Sequence, residues 1–507
     1  MQTVRLTREP KQTALFLYAP DIARARADSY NKLTEKRGIE MKQSVGLSGA
    51  RTRKTQDLTV GSITGNLLLF ALPLMAGNLL QQLYNVADTW VVGRFLGADA
   101  LAAVGSAYTL MVFLTSILLG LCMGSGADFA VQYGKRDFDR LRVGIFLSFV
   151  LIAAMTAVLC AIVYLGLDGI LWILQIPDVI VPLIRAYLVI VFLGIPATFL
   201  YNYFANLLRA IGDSVTPLLF LAVSAILNIV LDLFFVITLD WGVGGAAGAT
   251  VLAQYVSGLG LAAFTVWRFP ELVPRREHRK WDGRVLREIA GLSGLTSVQQ
   301  SVMNFGILMV QGRVNSFGPS VMAAFAAAVK IDSFAYMPVQ DFGNAFSTFV
   351  AQNFGAGKTN RIRGGIRSAA ACAAAFCVVV GGAVCLFARP LMTIFVDPAE
   401  TEIIAIGVQY LHIEAAFYCG IGILFLLYGY YRAVGKPGMS VVLTVISLGT
   451  RVALAYALSA IPQIGVIGIW VSVPIGWALA DLAGIVYLFC RSEHPKTVRV
   501  DTDNTQG

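Results

Sequence analysis

The sequence is poor in charged residues. Only 14% of its 507 residues are Asp, Glu, Lys or Arg, whereas 57% are hydrophobic and the mean hydropathy is +0.70. Soluble globular proteins are typically about a quarter charged, so this composition excludes an ordinary soluble domain and indicates a polytopic membrane protein. The net charge of +9 comes from short segments between apolar runs and from the two tails. That distribution suits loops at a membrane face better than a nucleic-acid-binding surface, so we expect a lipid bilayer and no nucleic acid as partner.

The sequence also lacks the motifs of common enzymes. It has three histidines, no HExxH and no GxSxG, and none of its seven cysteines forms a CxxC pair. These absences argue against a zinc site, a hydrolase and a disulfide framework. A phosphate loop of the form GxxxxGK before Thr359 would need glycine at position 352, which is Gln352. We therefore expect a protein that is not an enzyme and that carries no cofactor.

The apolar runs are long enough to cross a membrane twelve times, which predicts an all-α fold. No apolar core resembling a cleavable signal peptide occurs in residues 1–58. The predicted membrane helices are 63–92, 99–132, 143–166, 180–210, 215–239, 243–268, 286–312, 319–352, 367–388, 402–431, 438–460 and 465–490.

The loop charges predict the orientation. Counting residues at the loop boundaries, eighteen Lys and Arg accompany the loops after the even-numbered helices and three accompany the others. The positive-inside rule then places the even-numbered loops and both termini in the cytoplasm, in a multi-pass protein of the inner membrane. Residues 1–58 hold twelve Lys or Arg without periodicity and read as a disordered tail. Met41 is an alternative start of the chain.

An internal repeat divides the chain into two halves. LRAIG at 208–212 recurs as YRAVG at 431–435, and GVGGAA at 242–247 recurs as GVIGIW at 465–470. Each half has six helices, so the repeats have the same orientation in the membrane and are parallel. The predicted organisation is a cytoplasmic tail (1–58), two six-helix lobes (59–268 and 286–490), a linker loop (269–285) and a second cytoplasmic tail (491–507).

Polar residues in the first half predict a cation or proton site. Gln81, Tyr84 and Asp88 are spaced to share one helix face, as are Asn228 and Asp232. Carboxylates within membrane-length apolar runs are costly and usually have a function. Interhelical hydrogen bonding is the alternative role for the neutral members of this set. Further amide and hydroxyl groups on helices 4 and 6 are Tyr201, Asn202, Asn206 and Thr250.

A second polar set occupies helices 8 and 10 and predicts a possible cavity in the second lobe. Its members are Lys330, Asp332, Asp341 and Glu414. Lys330 and Asp332 are interpreted as a neutralising pair, Asp341 as facing a cavity, and Glu414 as near the solvated end of its helix. The alternative is that these residues only stabilise the helix bundle through ion pairs.

Five motifs along the chain are specific enough to be compared with known families. They are VADTWVVGRFLG (86–97), LRAIGD (208–213), LNIVLD (227–232), AQNFGAGK (351–358) and YRAVGK (431–436). In this order and spacing they resemble the multidrug and toxic compound extrusion family over about 58–490. The resemblance implies two lobes in a V shape around a central cavity, and export of cationic or amphiphilic compounds in exchange for protons or sodium.

The resemblance also implies which residues bind the coupling cation. One branch of the family, typified by the DNA-damage-inducible members, binds the cation in the first lobe, with a bend at the position of Pro73. Another branch uses acids on helices 7 and 10, where this chain has Gln299 or Gln300 and Ile421. The residues that match the first branch are Gln81, Tyr84, Asp88, Asn206, Asn228, Asp232 and Thr250.

The expected function is therefore a monomeric secondary antiporter for drug-like small molecules, in which Asp88 and Asp232 couple transport to an ion. We favour protons, because two adjacent carboxylates cannot easily both ionise, and sodium at the same two residues is the alternative. A flippase for a lipid-linked precursor is the rival function. Such a protein would need a cationic cavity for phosphate groups, whereas the predicted membrane helices contain few bases. A passive channel would not account for the two-half design.

Overall fold

The structure is a computed structural model, and it describes residues 55–173 and 180–492. Every regular element in these ranges is helical, which confirms the predicted all-α fold. We number the twelve long helices in chain order and give two of them as two segments each. They are α1 (Ile63–Phe95), α2 (Ala98–Lys135), α3 (Phe138–Leu165), α4 (Val181–Phe192 and Ile195–Ala210), α5 (Val215–Leu233), α6 (Gly242–Arg268), α7 (Gly283–Asn315), α8 (Pro319–Gly355), α9 (Thr359–Leu386), α10 (Thr401–Ala416 and Tyr418–Ala433), α11 (Pro437–Ser459) and α12 (Ile467–Ser492). Shorter helices cover Leu167–Ile173 and Ala388–Met392.

Most of these helices can span a membrane by length and composition. Within the described ranges, nine qualify alone, and α4 and α10 raise the number to eleven if each bent pair is one span. The two segments of α4 meet at 42° and those of α10 at 52°. The break in α4 precedes Pro196, which lies at the start of its second segment. Proline removes a backbone donor, so a helix commonly bends or restarts there.

The helix α7 is the more polar exception, and its packing explains its composition. It lies against α2 so closely that a Cβ added at Gly120 would be 2.4 Å from the Ser297 Cα. One turn further along, the Ser125 and Ser293 hydroxyls hydrogen-bond at 2.8 Å, and both residues are buried. Close contact between small residues holds membrane helices together without a large apolar surface. Because protein covers this part of α7, it needs less apolar surface than a helix that faces lipid.

The two lobes are sealed together at the face that carries the loops after the even-numbered helices, which we call the basic face. Here the ends of α2 and α8 are in backbone contact. A Cβ added at Gly134 would lie 2.0 Å from the Gln352 carbonyl oxygen, and one at Gly355 would lie 2.0 Å from the Val131 carbonyl oxygen. No side chain fits at either place, so the absence of a Cβ is what allows the seal.

Contacts between α1 and α8 continue the joint toward the middle of the lobes. The Asn78 amide donates to Asp341 at 2.5 Å, and the Gln82 amide contacts the Met337 sulfur at 3.4 Å. The conformation is therefore one in which the two lobes are in contact at the basic face and beneath it.

The segment preceding α1 adds a second layer to the seal. We call residues 55–62 the strap. Leu58 has no exposed surface, its N–H donates to Gln352 Oε1 at 3.2 Å, and its carbonyl accepts from Asn353 at 3.2 Å. The Arg361 guanidinium donates to three strap carbonyls, including those of Leu58 and Val60. These contacts tie the strap to α8 and α9 of the second lobe.

The strap also contacts the first lobe. The Gln56 N–H donates to the Gly212 carbonyl at 3.1 Å, and Asp57 pairs with Arg136 at 2.9 Å. Residues 55–58 are thus packed, although the sequence assigned them to the tail. The remainder of that tail, and the C-terminal residues after 492, lie outside the described residues.

Candidate functional site

The two aspartates of the first lobe approach each other from different helices. Asp88 lies on α1 and Asp232 near the end of α5, and their carboxyl groups are within electrostatic range of one another. Asp232 is completely buried. Neither of its oxygens, nor Asp88 Oδ1, accepts a hydrogen bond from a described residue. Buried polar groups are normally satisfied, so this carboxylate pair is suited to taking up a proton or a cation.

Neutral oxygen and nitrogen groups surround the pair. The Asn228 amide donates to the Thr250 hydroxyl at 3.2 Å, which links α5 to α6, while Asn228 Oδ1 accepts nothing from the described residues. Tyr84 interacts with both the Gln81 side chain and Asp88. Six of the seven residues predicted for this site therefore share one region of the lobe.

The backbone is irregular next to Asp232. A π-helical turn, Phe234–Thr238, follows α5 directly, and the Leu239 N–H reaches the Phe234 carbonyl at 3.1 Å. Such turns are rare and occur frequently at functional sites. The turn makes the end of α5 differ in geometry from a continuous helix just where the carboxylate is placed.

Two predicted site residues have other surroundings. The Asn206 amide donates to the Asn202 carbonyl at 2.8 Å, and its Cβ lies against Gly126 of α2. No contact in the described part of the chain joins Asn206 to either aspartate. Pro73 lies inside α1, which continues through it, so it removes one backbone donor from the helix.

The second lobe holds a separate buried cluster built on Asp332 of α8. Its carboxylate accepts from the Tyr418 hydroxyl at 2.6 Å and from the Tyr410 hydroxyl at 3.5 Å. Glu414 of α10 and Arg451 of α11 interact electrostatically with it. Glu414 has no exposed surface and neither of its oxygens accepts a hydrogen bond from a described residue.

Three sequence expectations for this lobe need correction. Lys330 does not pair with Asp332, because residues two apart lie on different faces of a helix; its ammonium lies 5.9 Å from the centre of the Phe395 ring and the residue is exposed. Glu414 is buried rather than solvated. Asp341 is buried between the lobes, where it accepts the hydrogen bond from Asn78.

Sequence reasoning missed several buried polar residues, of which three are relevant to the two sites. Tyr187 of α4 lies near Asp88 and Asp232, and only its place in an apolar run could have suggested a role. Asp481 is an acid inside the apolar helix α12, a pattern that was visible in the sequence. Arg432 lies in the last turn of α10, where an arginine is commonly exposed, yet it is buried.

No group of three or more His, Cys, Asp or Glu side chains in the described ranges is arranged to hold a metal ion. A cation in the first lobe would therefore rely on two carboxylates and on neutral oxygen atoms. Neutral and charged oxygen ligands are those that hard cations prefer.

Comparison with known proteins places the chain in a family. The MatE family model matches residues 73–234 and 293–457. The probable multidrug resistance protein YpnP of Bacillus subtilis is 31% identical, with 86% of this chain and 96% of that protein covered. A protein of Shewanella oneidensis named FAD transporter is 25% identical, with 86% and 96% covered.

Solved structures agree on the fold. One described as the outward-facing conformation of a multidrug resistance MATE family transporter has a TM-score of 0.82, with 88% of this chain and 100% of that chain covered at 23% identity. It confirms the arrangement of the helices in two lobes. From the family model and the identity to its relatives, the chain belongs to the MatE family of membrane transporters.

Proposed function

We propose that the protein is a secondary active exporter of cationic or amphiphilic drug-like molecules, driven by the inward flow of a coupling ion. The observation that carries this proposal is the pair of half-buried Asp88 and buried Asp232, in which three buried carboxylate oxygens accept no hydrogen bond from the described residues. The names of relatives, multidrug resistance proteins among them, support drug-like cargo.

The coupling depends on two conformations with different affinity for the ion. A ligand shifts a conformational equilibrium only as far as its affinities for the two states differ. Asp88 and Asp232 come from different helices, so movement of α1 against α5 would change the distance between the two carboxylates and hence their affinity for a proton or a cation. Protons are the favoured ion, because one shared proton removes the repulsion between the pair.

The test is efflux from vesicles that contain purified protein. Asp88→Asn and Asp232→Asn should each reduce gradient-driven efflux at least tenfold, with folding and membrane insertion retained. Asp99→Asn is the matched control, since Asp99 is an exposed acid at the start of α2 and should transport as the parent does. Full efflux by Asp88→Asn under a gradient would rule out the proposed coupling role.

The ion is identified by imposing gradients separately. We expect efflux under a pH gradient without sodium. Efflux driven only by a sodium gradient at equal pH would identify sodium as the coupling ion. The absence of efflux under both gradients would rule out an antiport mechanism.

The rival function, a flippase for a lipid-linked precursor, is distinguished from drug export by the molecule that is transported. Depletion of an exporter should raise dye accumulation in cells and leave the distribution of cell-wall precursors unchanged. Depletion of a flippase should have the reverse effect.

A further inference from the structure

The end of α10 at the basic face carries a buried positive charge that has no negative partner among the described residues. Arg432 is 5% exposed, and its guanidinium donates to Asn344 Oδ1 at 2.9 Å and to Ser347 Oγ at 3.3 Å. Both acceptors are neutral. No carboxylate in the described part of the chain forms an ion pair with Arg432. An unpaired charge in a membrane protein interior is costly, so a group that remains there usually has a partner in another state or a ligand.

The internal repeat supplies a second arginine from the other lobe. Arg209 in LRAIG occupies the position equivalent to Arg432 in YRAVG. Its Nε atom is buried and has no hydrogen-bond acceptor among the described residues. It interacts electrostatically with Asp341, whose Oδ1 accepts from Asn78 and whose Oδ2 has no described donor. The two lobes thus direct equivalent arginines toward one stretch of α8.

The charges at this place do not balance. Arg209 and Arg432 bring two positive charges and Asp341 brings one negative charge, while Asn78 and Asn344 are neutral. The set therefore holds two guanidinium groups and a single carboxyl group, so its net charge is positive in either form of Asp341, because Arg is always protonated. A polar cluster with an excess positive charge attracts an anionic group.

The cluster lies beneath the seal between the lobes. Phe346 and Phe349 of α8, together with Ala433 beside Arg432, belong to the same buried hydrophobic cluster as Leu207 and Leu208 of the first lobe. Separation of the lobes at the basic face would open this cluster and expose both arginines to a molecule entering from that side.

We propose that Arg209 and Arg432 form a subsite for an anionic group, a carboxylate or a phosphate, on an amphiphilic cargo molecule taken up at the basic face. The inference rests on the proposed export function and specifies its cargo. The planar guanidinium binds these two groups with paired hydrogen bonds, which gives the contact both strength and direction. Asp341 would then select against anions that lack a compensating cationic or polar group, because it lies within the same cluster.

The test uses two dyes that differ only in the anionic group. One is a cationic rhodamine methyl ester, and the other is the same rhodamine with a free carboxylate. Efflux of each dye is measured in vesicles with the parent protein, Arg432→Gln, Arg209→Gln and the control Arg363→Gln, which removes an exposed arginine of the basic face. We expect each subsite variant to lower the ratio of carboxylate to ester transport about tenfold, which corresponds to about 1.4 kcal/mol. Arg363→Gln should leave the ratio unchanged.

Further arms separate the subsite from a purely structural role. Arg432→Lys should retain part of the preference, because it keeps the charge and loses the paired geometry. Equal loss of both dyes in Arg432→Gln and Arg209→Gln would assign the arginines to the seal and overturn the proposal, as would an unchanged ratio. If Arg432→Gln does not reach the membrane, Arg209→Gln and Arg432→Lys carry the test.

The source of the anionic group is tested by competition. Dodecyl phosphate should inhibit transport of the carboxylate dye in the parent and not in Arg432→Gln, whereas inorganic phosphate should inhibit neither. Equal inhibition by both phosphates would overturn the requirement for an amphiphile. Efflux of the ester dye under a gradient reports the export function by itself. If the parent protein does not transport the ester, the proposed function is contradicted rather than the subsite.

Discussion

The strap offers the most direct test of how the basic face stays closed. Leu58 has no exposed surface, and its side chain belongs to the hydrophobic cluster that joins the two lobes. Its N–H and carbonyl groups are bound to α8 of the second lobe. Gln56 and Asp57 are bound to the first lobe at Gly212 and Arg136. Separation of the lobes must break one of these two sets of contacts.

Leu58→Ala should therefore favour separation of the lobes at the basic face. Truncation of a buried leucine costs roughly 2–5 kcal/mol, through lost apolar contact and the cavity left behind. At about 2 kcal/mol, if that contact is lost on opening, the ratio of open to closed molecules rises roughly 30-fold. A closed state that is otherwise dominant would then share the population with the open one.

The assay is a distance measurement across the basic face. Spin labels at Lys135, an exposed residue at the end of α2, and at Asn360, an exposed residue in the first turn of α9, report the separation directly in a cysteine-free background. Leu58→Ala should add a component at longer distance. Leu69→Ala removes the same atoms from a side chain that is 64% exposed, and it should leave the distances unchanged. If Leu58→Ala lowers thermal stability without any change in the distances, the strap does not control closure.

Two further predictions concern the same seal. Gly134→Ala would place a Cβ 2.0 Å from a carbonyl oxygen of α8, so the same labels should show a longer distance and efflux should fall; closure as in the parent would contradict the proposed backbone contact. Burial raises the pKa of Asp57, but hydrogen bonds from Thr59 and the nearby Arg136 outweigh it, and the net pKa is lowered. A lowered pKa means that the Asp57 contacts are fully present above the ordinary pKa of Asp and are lost only as the pH falls through the lowered value. Asp57 should thus add no pH dependence to the label distances between about pH 5 and pH 8, because the ordinary pKa of Asp, about 3.9, leaves the group ionised there. Any transition in that range, such as one caused by Asp88 and Asp232, should be unchanged in Asp57→Asn; a transition that disappears in that variant would contradict this reasoning.

The sequence alone was sufficient for the helices and for the acids of the first lobe. Long apolar runs determine where a chain crosses a bilayer, because unpaired backbone groups are excluded from hydrocarbon, and the twelve predicted segments correspond to α1–α12. Asp88 and Asp232 stand out because a carboxylate is costly in such a run. The boundaries of the lobes and the functional role of the site residues remain predictions.

Only the tertiary structure decided which polar groups meet. Helix geometry places Lys330 and Asp332 on different faces of α8. Only the packing shows that Lys330 lies exposed beside Phe395 and that Asp332 accepts a hydrogen bond from Tyr418 of α10. The packing of 55–58 depends on contacts with α8, far away in sequence, and so does the placement of Arg432 beside Asn344 without a carboxylate partner in the described ranges. Apolar periodicity is a local property of the chain, whereas the balance of buried charges depends on which helices fold against each other.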